Sequence, residues 1–294
     1  VPSHAVREVW GKGRELVRPD ALIVSASKGI EVGSGKLVSE ILMETLPREM
    51  HDRLCFLSGP SFAKEIAERR PTAVSLAARN ETYAIAAQTL ISSPEFRCYT
   101  TGDVVGVELG GALKNVIAIA IGVADGLEAG LNSRAALITR GLAEITRLGV
   151  AMGANPVTFL GLSGVGDLVL TCTGDLSRNR RVGLEIGRGK TVDEVLGGLT
   201  QVAEGVRTAR SAYELAQKLG VDIRSRGNQL TIKGSSSAAE QARRALDNLY
   251  GILQKGTDIG QSDVDGAVRM AIAADDQLTL PTLERKGKMA AAQI

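Results

Sequence analysis

Cysteine, histidine and aromatic residues are all scarce in these 294 residues, and each scarcity closes a route to function. Three cysteines, Cys55, Cys98 and Cys172, make an odd number with no C-x-x-C pair. That argues against a disulfide framework and a zinc knuckle, and it fits a reducing, cytoplasmic compartment. No metal site is expected. The only two histidines, His4 and His51, stand in no motif, so surface or packing roles are expected for both. An acid–base scheme must therefore use another side chain. Aromatics at 3% offer little for stacking nucleic-acid bases, and 35 Lys plus Arg against 33 Asp plus Glu give no overall field for a polyanion. Nucleic acid is thus not an expected partner, and any anion must be held by a local cluster. No signal peptide opens the chain, and the best apolar run, residues 116–124, is too short to span a bilayer. Two glycine loops are missing as well. No G-x-G-x-x-G follows a strand-like run, and Gly189-Lys190-Thr191 fails as a P-loop because Leu184 stands where glycine is required.

What is present is globular in texture, with 44% hydrophobic and 23% charged residues and length enough for two ordinary domains. Over residues 1–100, apolar runs at 21–27, 54–57, 72–77 and 96–100 alternate with helical patterns near 4–17, 35–46, 61–69 and 81–92. This predicts an incomplete Rossmann-like α/β domain whose parallel sheet is covered on both faces. Val1-Pro2-Ser3-His4 reads as the end of a strand entering a helix, with Ser3 as N-cap, so the start is expected to fall inside a domain. Residues 101–220 are helical throughout: 104–123 is apolar nearly all round and should be a central helix, and 132–148 is amphipathic. Thr191-Val192-Asp193-Glu194 is a capping box, and residues 204–219 close the region as a further helix. Residues 221–262 predict a small ββα unit, with a hairpin around Gly227-Asn228 and a helix near 235–254; residues 263–294 read as linker or tail.

Lys114 is the sharpest anomaly, an ammonium in the middle of the most apolar helix of the chain. Desolvation lowers a lysine pKa towards neutrality, which is what a general base at pH 7 needs. The alternative is a lysine snorkelling from the edge of a buried face. Gly110-Gly111, one turn earlier, would let another group approach closely. Lys28 follows an apolar strand, where open sheets bind ligands; it could face an anion or depress a neighbouring lysine, or simply be a solvated loop residue. Ser177 can cap a helix whose first-turn amides, with Arg178 and Asn179, would cradle a phosphate; a solvated basic face is the competing reading. Asp167, at a glycine-rich turn, could orient Lys114, bind a substrate hydroxyl or cap a helix.

In their order along the chain, Val1-Pro2-Ser3-His4, Ser27-Lys28-Gly29, the stretch from Ser58 to Glu65 and the stretch from Leu109 to Ala118 resemble NAD(P)-dependent glycerol-3-phosphate dehydrogenases of the bacterial type. Residues 166–173, Ser177-Arg178-Asn179-Arg180 and the stretch from Val202 to Gly205 complete that resemblance, over roughly residues 1–220. It implies hydride transfer between sn-glycerol 3-phosphate or dihydroxyacetone phosphate and NAD or NADP, with Lys114 as the proton acceptor and a role in phospholipid synthesis. By the same resemblance Lys28, Gly59, Ser61, Asn115, Asp167, Thr171, Ser177, Arg178 and Asn179 would hold the substrate. Lys28, Ala63, Arg178, Val202 and Glu204 would touch the cofactor, and a homodimer is a further expectation. The family carries its glycine fingerprint upstream of the stretch that Val1 opens, so weak pyrophosphate binding and little dehydrogenase activity are expected of these residues alone. From about residue 219, Leu219 to Ser235, the helix at 238–254 and residues 277–289 resemble the N-terminal KH-like region of a PhoH-type ATPase, joined within residues 217–222. That piece lacks the G-x-x-G loop of KH modules, so RNA binding is only the alternative function, and the whole reads as a chimera.

Overall fold

A computed structural model describes residues 1–197, 203–218, 222–226 and 229–233. The expected strands form as β1 (Ile23–Ser25), β2 (Leu54–Ser58), β3 (Thr72–Ala78) and β4 (Phe96–Thr101), in one sheet of order β1-β2-β3-β4. Between and before them lie α1 (Val6–Gly13), α2 (Val38–Thr45), α3 (Ala63–Ala67) and α4 (Glu81–Ile91). Ile23, Leu54, Phe56, Ile41, Leu42 and Met50 fill one face of the sheet, while Cys55, Val74, Leu76, Ala84 and Ala87 fill the other. Both faces are therefore covered, which is why the strands read as continuous apolar runs.

The sheet is mixed rather than wholly parallel. β1 pairs with β2 and β3 with β4 in parallel, but β2 and β3 run antiparallel, with Phe56 opposite Ala77. The connection, residues 59–71, contains only the five-residue α3 and no long crossover helix, and the chain returns alongside β2. At the start, Ser3 does not cap a helix: Ser3–Ala5 form a single 3-10 turn, and Ser3 is buried.

The second half is built around α5 (Val104–Gly126), whose N-cap Asp103 accepts a hydrogen bond from the Gly106 amide at 2.9 Å. Asp103 Oδ2 also accepts from the Asn155 amide and the Thr158 hydroxyl, tying the start of α5 to the following helices. Leu109, Ala112, Ile121, Ile145, Phe159 and Leu168 pack around α5 in the largest core cluster. By length and composition α5 could cross a bilayer, but most of it is wrapped inside the protein. Around it stand α6 (Gly130–Ala151), α7 (Asp167–Thr173), α8 (Arg178–Gly187), α9 (Val192–Gly197) and α10 (Glu204–Lys218). The Thr191 capping box forms in full, with Glu194 accepting the Thr191 amide and Thr191 accepting that of Glu194. α5 and α8 cross at very close range: a Cβ on Gly183 would collide with the backbone at Ile119, and one on Gly122 with the backbone at Arg180. Only glycine permits that approach.

β5 (Asp222–Arg226) and β6 (Gln229–Lys233) form the expected antiparallel hairpin, with Ile223 opposite Ile232. The turn at Gly227-Asn228, the helix expected near 235–254 and the tail from 263 lie outside the described residues.

Candidate functional site

Four separate segments bring charged groups to one point where the sheet meets α5. Lys114 and Asn115 sit on the middle of α5, both buried. Lys28 leaves the loop after β1, Gly59 and Ser61 leave the loop after β2, and Asp167 opens α7. A wide turn over Leu162–Gly166 delivers Asp167 to the site, and a Cβ on Gly110 would strike the carbonyl of Ser163 in that turn. Its neighbour Gly111 faces Ser58 and the Lys28 side chain, so the glycine pair does admit close approach.

Asp167 is the centre of the arrangement. Its side chain is 1% exposed; Oδ2 accepts from Lys28 Nζ at 2.8 Å, and Oδ1 pairs with Lys114 Nζ. Lys28 Nζ also donates to the Gly59 carbonyl at 3.3 Å, and Ser61 Oγ donates to that same carbonyl at 2.8 Å. Gly59 itself has φ of +140°, a conformation that side chains rarely adopt. Thr171 Oγ1 donates back to the Asp167 carbonyl at 2.7 Å, one turn along α7. Two ammoniums and one carboxylate thus meet in a nearly closed space. Burial and the neighbouring Lys28 charge drive the Lys114 amine down to about 7, against the opposing pull of Asp167. The snorkelling alternative is set aside by this geometry, because the Lys114 side chain turns inward to a carboxylate.

The second cluster lies at the start of α8. Ser177 is its N-cap, accepting the Arg180 amide at 3.2 Å, and Arg178 and Asn179 are its first two residues. Asn179 Oδ1 accepts the Gly205 amide at 3.0 Å, which brings the first turn of α10 alongside. Glu204, at the start of α10, is raised in pKa by burial, while Arg178, Lys28 and Lys114 act on it as nearby positive charges. Glu204 is thus within electrostatic reach of both clusters. Ala63, first residue of α3, is exposed, and Val202 lies outside the described residues. His4 is exposed, and His51 hydrogen-bonds the Leu46 carbonyl at 3.0 Å, away from these clusters. All three cysteines are free and buried, and among the described residues no cluster suits a metal ion.

Two elements of this architecture carry no sequence motif. Asp125 on α5 grips both Arg134 and Arg180, and Glu108 on α5 is buried against the first turn of α2. The signal for each was a lone carboxylate inside an apolar helical run, the same kind of anomaly that singled out Lys114.

Comparison with known proteins accounts for this combination. Residues 1–84 match the family description "NAD-dependent glycerol-3-phosphate dehydrogenase N-terminus", and residues 103–226 match the corresponding C-terminus. The second match runs past residue 220, where the sequence reading placed the end of the resemblance. A glycerol-3-phosphate dehydrogenase (NAD(P)+) from Geobacter sp. (strain M21) is 60% identical over 223 residues, 76% of this chain and 67% of that protein. One of the same name from Myxococcus xanthus is 57% identical over 222 residues, 76% of this chain and 66% of that protein. The chain thus spans about two thirds of the length of these relatives. The crystal structure of a glycerol-3-phosphate dehydrogenase from Coxiella burnetii superposes with a TM-score of 0.76 at 35% identity, covering 92% of this chain and 75% of that one. On this evidence the chain belongs to the NAD-dependent glycerol-3-phosphate dehydrogenase family, a family of oxidoreductases.

Proposed function

We propose that this chain binds sn-glycerol 3-phosphate or dihydroxyacetone phosphate and that Lys114 moves the proton in their interconversion. The observation that carries the reading is the buried Lys114–Asp167–Lys28 cluster, set beside the open first turn of α8. The phosphate lies at that first turn, where the amides point outward, the helix dipole favours an anion and Arg178 supplies a fork of donors. Asn179, whose oxygen is engaged by Gly205, presents its amide hydrogens to the same phosphate. The C2 oxygen then reaches Lys114 Nζ. In oxidation the neutral amine takes the hydroxyl proton; in reduction the ammonium returns it to the carbonyl oxygen. Asp167 fixes the direction of Nζ, and burial together with the Lys28 charge keeps Lys114 poised near neutrality. The polar set at the sheet end of the site, Lys28 with Glu204, suits the carboxamide and ribose hydroxyls of a nicotinamide nucleotide, NAD or NADP, and would hold that end of it. When bound, this group supplies the hydride acceptor or donor. Free, buried cysteines support a cytoplasmic setting.

Isothermal titration with sn-glycerol 3-phosphate tests the reading without requiring turnover. Arg178→Ala should weaken binding about 10- to 100-fold, the worth of a charge-assisted hydrogen-bond pair. Removing residues 221–294 should leave binding unchanged. Equal affinity in Arg178→Ala and the unaltered chain would sink the proposal. The KH-like reading of residues from about 219 stands as a separate proposal, although its first strand, β5, falls inside the dehydrogenase match. Its test is RNA binding that survives removal of residues 1–220.

A further inference from the structure

The anion site at the start of α8 is only as well placed as α8 itself, and the structure shows a dedicated device holding it. Asp125 lies in the last turn of α5, where a carboxylate is opposed by the helix dipole and by burial. It is retained there by two guanidinium forks. Arg180 Nε and Nη2 both reach Asp125 Oδ2 at 2.8 Å, and Arg134 Nε and Nη2 both reach Oδ1 at 2.8 Å. The Arg180 side chain is 13% exposed, and it belongs to the same helical turn as Arg178 and Asn179. Its backbone amide is the one that Ser177 caps. Arg134 belongs to α6, which supplies no residue to the anion site. One carboxylate therefore anchors two helices, of which only α8 carries ligand-binding groups.

We infer that Asp125, acting through Arg180, is a positioning residue that sets the register of the first turn of α8 and thereby the phosphate affinity of the site. The glycine contact between α5 and α8 fixes how closely the helices approach, but van der Waals contact carries no directional bond. The Asp125–Arg180 fork is directional and removes that freedom. The inference rests on the function proposed above for its ligand, but its mechanical half does not.

Arg134 provides the internal control, since Arg134→Met and Arg180→Met each break one fork on the same carboxylate. The further 3.2 Å contact of Arg180 Nη1 with Asp175, whose side chain is 99% exposed, adds little. Both variants should lower the thermal midpoint by a similar amount. Titration with sn-glycerol 3-phosphate should show about tenfold weaker binding for Arg180→Met, partial recovery for Arg180→Lys and no change for Arg134→Met. Amide hydrogen exchange at residues 178–181 should quicken in Arg180→Met and in Asp125→Asn, and stay unchanged in Arg134→Met. Equal loss of affinity in both methionine variants, or unchanged exchange at 178–181 in Arg180→Met, overturns the inference. If the unaltered chain binds no sn-glycerol 3-phosphate while Arg180→Met still loosens residues 178–181, the proposed function fails and the anchoring role stands.

Discussion

Asp167→Asn should lower the unfolding free energy at pH 7 by about 3–5 kcal/mol, the usual cost of removing one partner from a buried ionic group. The asparagine has the same shape, so no cavity is made; what is lost is the charge on which two ammoniums converge. Nothing would then offset the Lys28 charge beside Lys114, which is left to shed its proton in a largely buried space. The defect carries its own pH signature. The Lys114 amine is lowered in the folded state, so the folded chain releases its proton more readily than the unfolded chain does. Stability from this group is therefore full only above its ordinary value of 10.5, is lost as pH falls from there to about 7, and is level below that. In Asp167→Asn the amine drops further, so the deficit against the unaltered chain should shrink as pH rises from about 5 to about 7 and stay level above that. The double variant Asp167→Asn with Lys114→Met should recover most of the loss. Urea midpoints across that pH range decide the matter, and a cost below about 1 kcal/mol at pH 7 would contradict the charge argument.

Glu108→Gln is expected to act in the opposite direction. One carboxyl oxygen of Glu108 accepts the Ser39 amide at 2.9 Å at the start of α2, and the other is buried without a hydrogen-bond partner among the described residues. Burial raises this carboxyl to about 7, with Glu40 adding to the rise and Ser39 and Arg79 opposing it. The folded chain thus holds a proton that the unfolded chain loses near 4.5. Stability from this group is complete below that value and disappears as pH rises through 7. Glutamine keeps the acceptor for Ser39 and cannot ionise. Relative to the unaltered chain it should gain up to about 3 kcal/mol between pH 4 and pH 8, the equivalent of roughly 2.5 pH units. A difference that stays flat across that range would show that Glu108 does not carry the buried proton. Taken with Lys114, this group makes the unaltered chain least stable near neutrality.

Most of the architecture was legible because it depends on periodicity. The four strands, the helices between them and α5 follow from apolar runs and helical spacing, each within a few residues of its observed bounds. The antiparallel β2–β3 pair was not legible, because an apolar strand reads the same in either direction. The site divided along a similar line. Lys114 announced itself as a charge in an apolar helix, and Arg178 and Asn179 followed a capping serine. Their convergence on Asp167 could only be one of several options, since 53 residues separate it from Lys114 and 139 separate it from Lys28. Asp125 was hidden by the same distance: its partner Arg180 lies 55 residues further on. Contacts of that range are decided by helix packing, which leaves no local pattern.

One feature of α5 bears on how this site can change over time. Lys114 and Asp125 are eleven residues apart on the same unbroken helix, so about 16 Å of rigid rod separates the proton-transfer atom from the anchor of the anion pocket. Substitutions along that rod can be tried one at a time, but its length cannot. A single residue inserted between them would swing Asp125 by about 100° and detach the pocket from the base in one step. The interval from 115 to 124 should therefore reject every insertion or deletion, while substitutions are decided site by site, with Gly122 admitting no side chain at all.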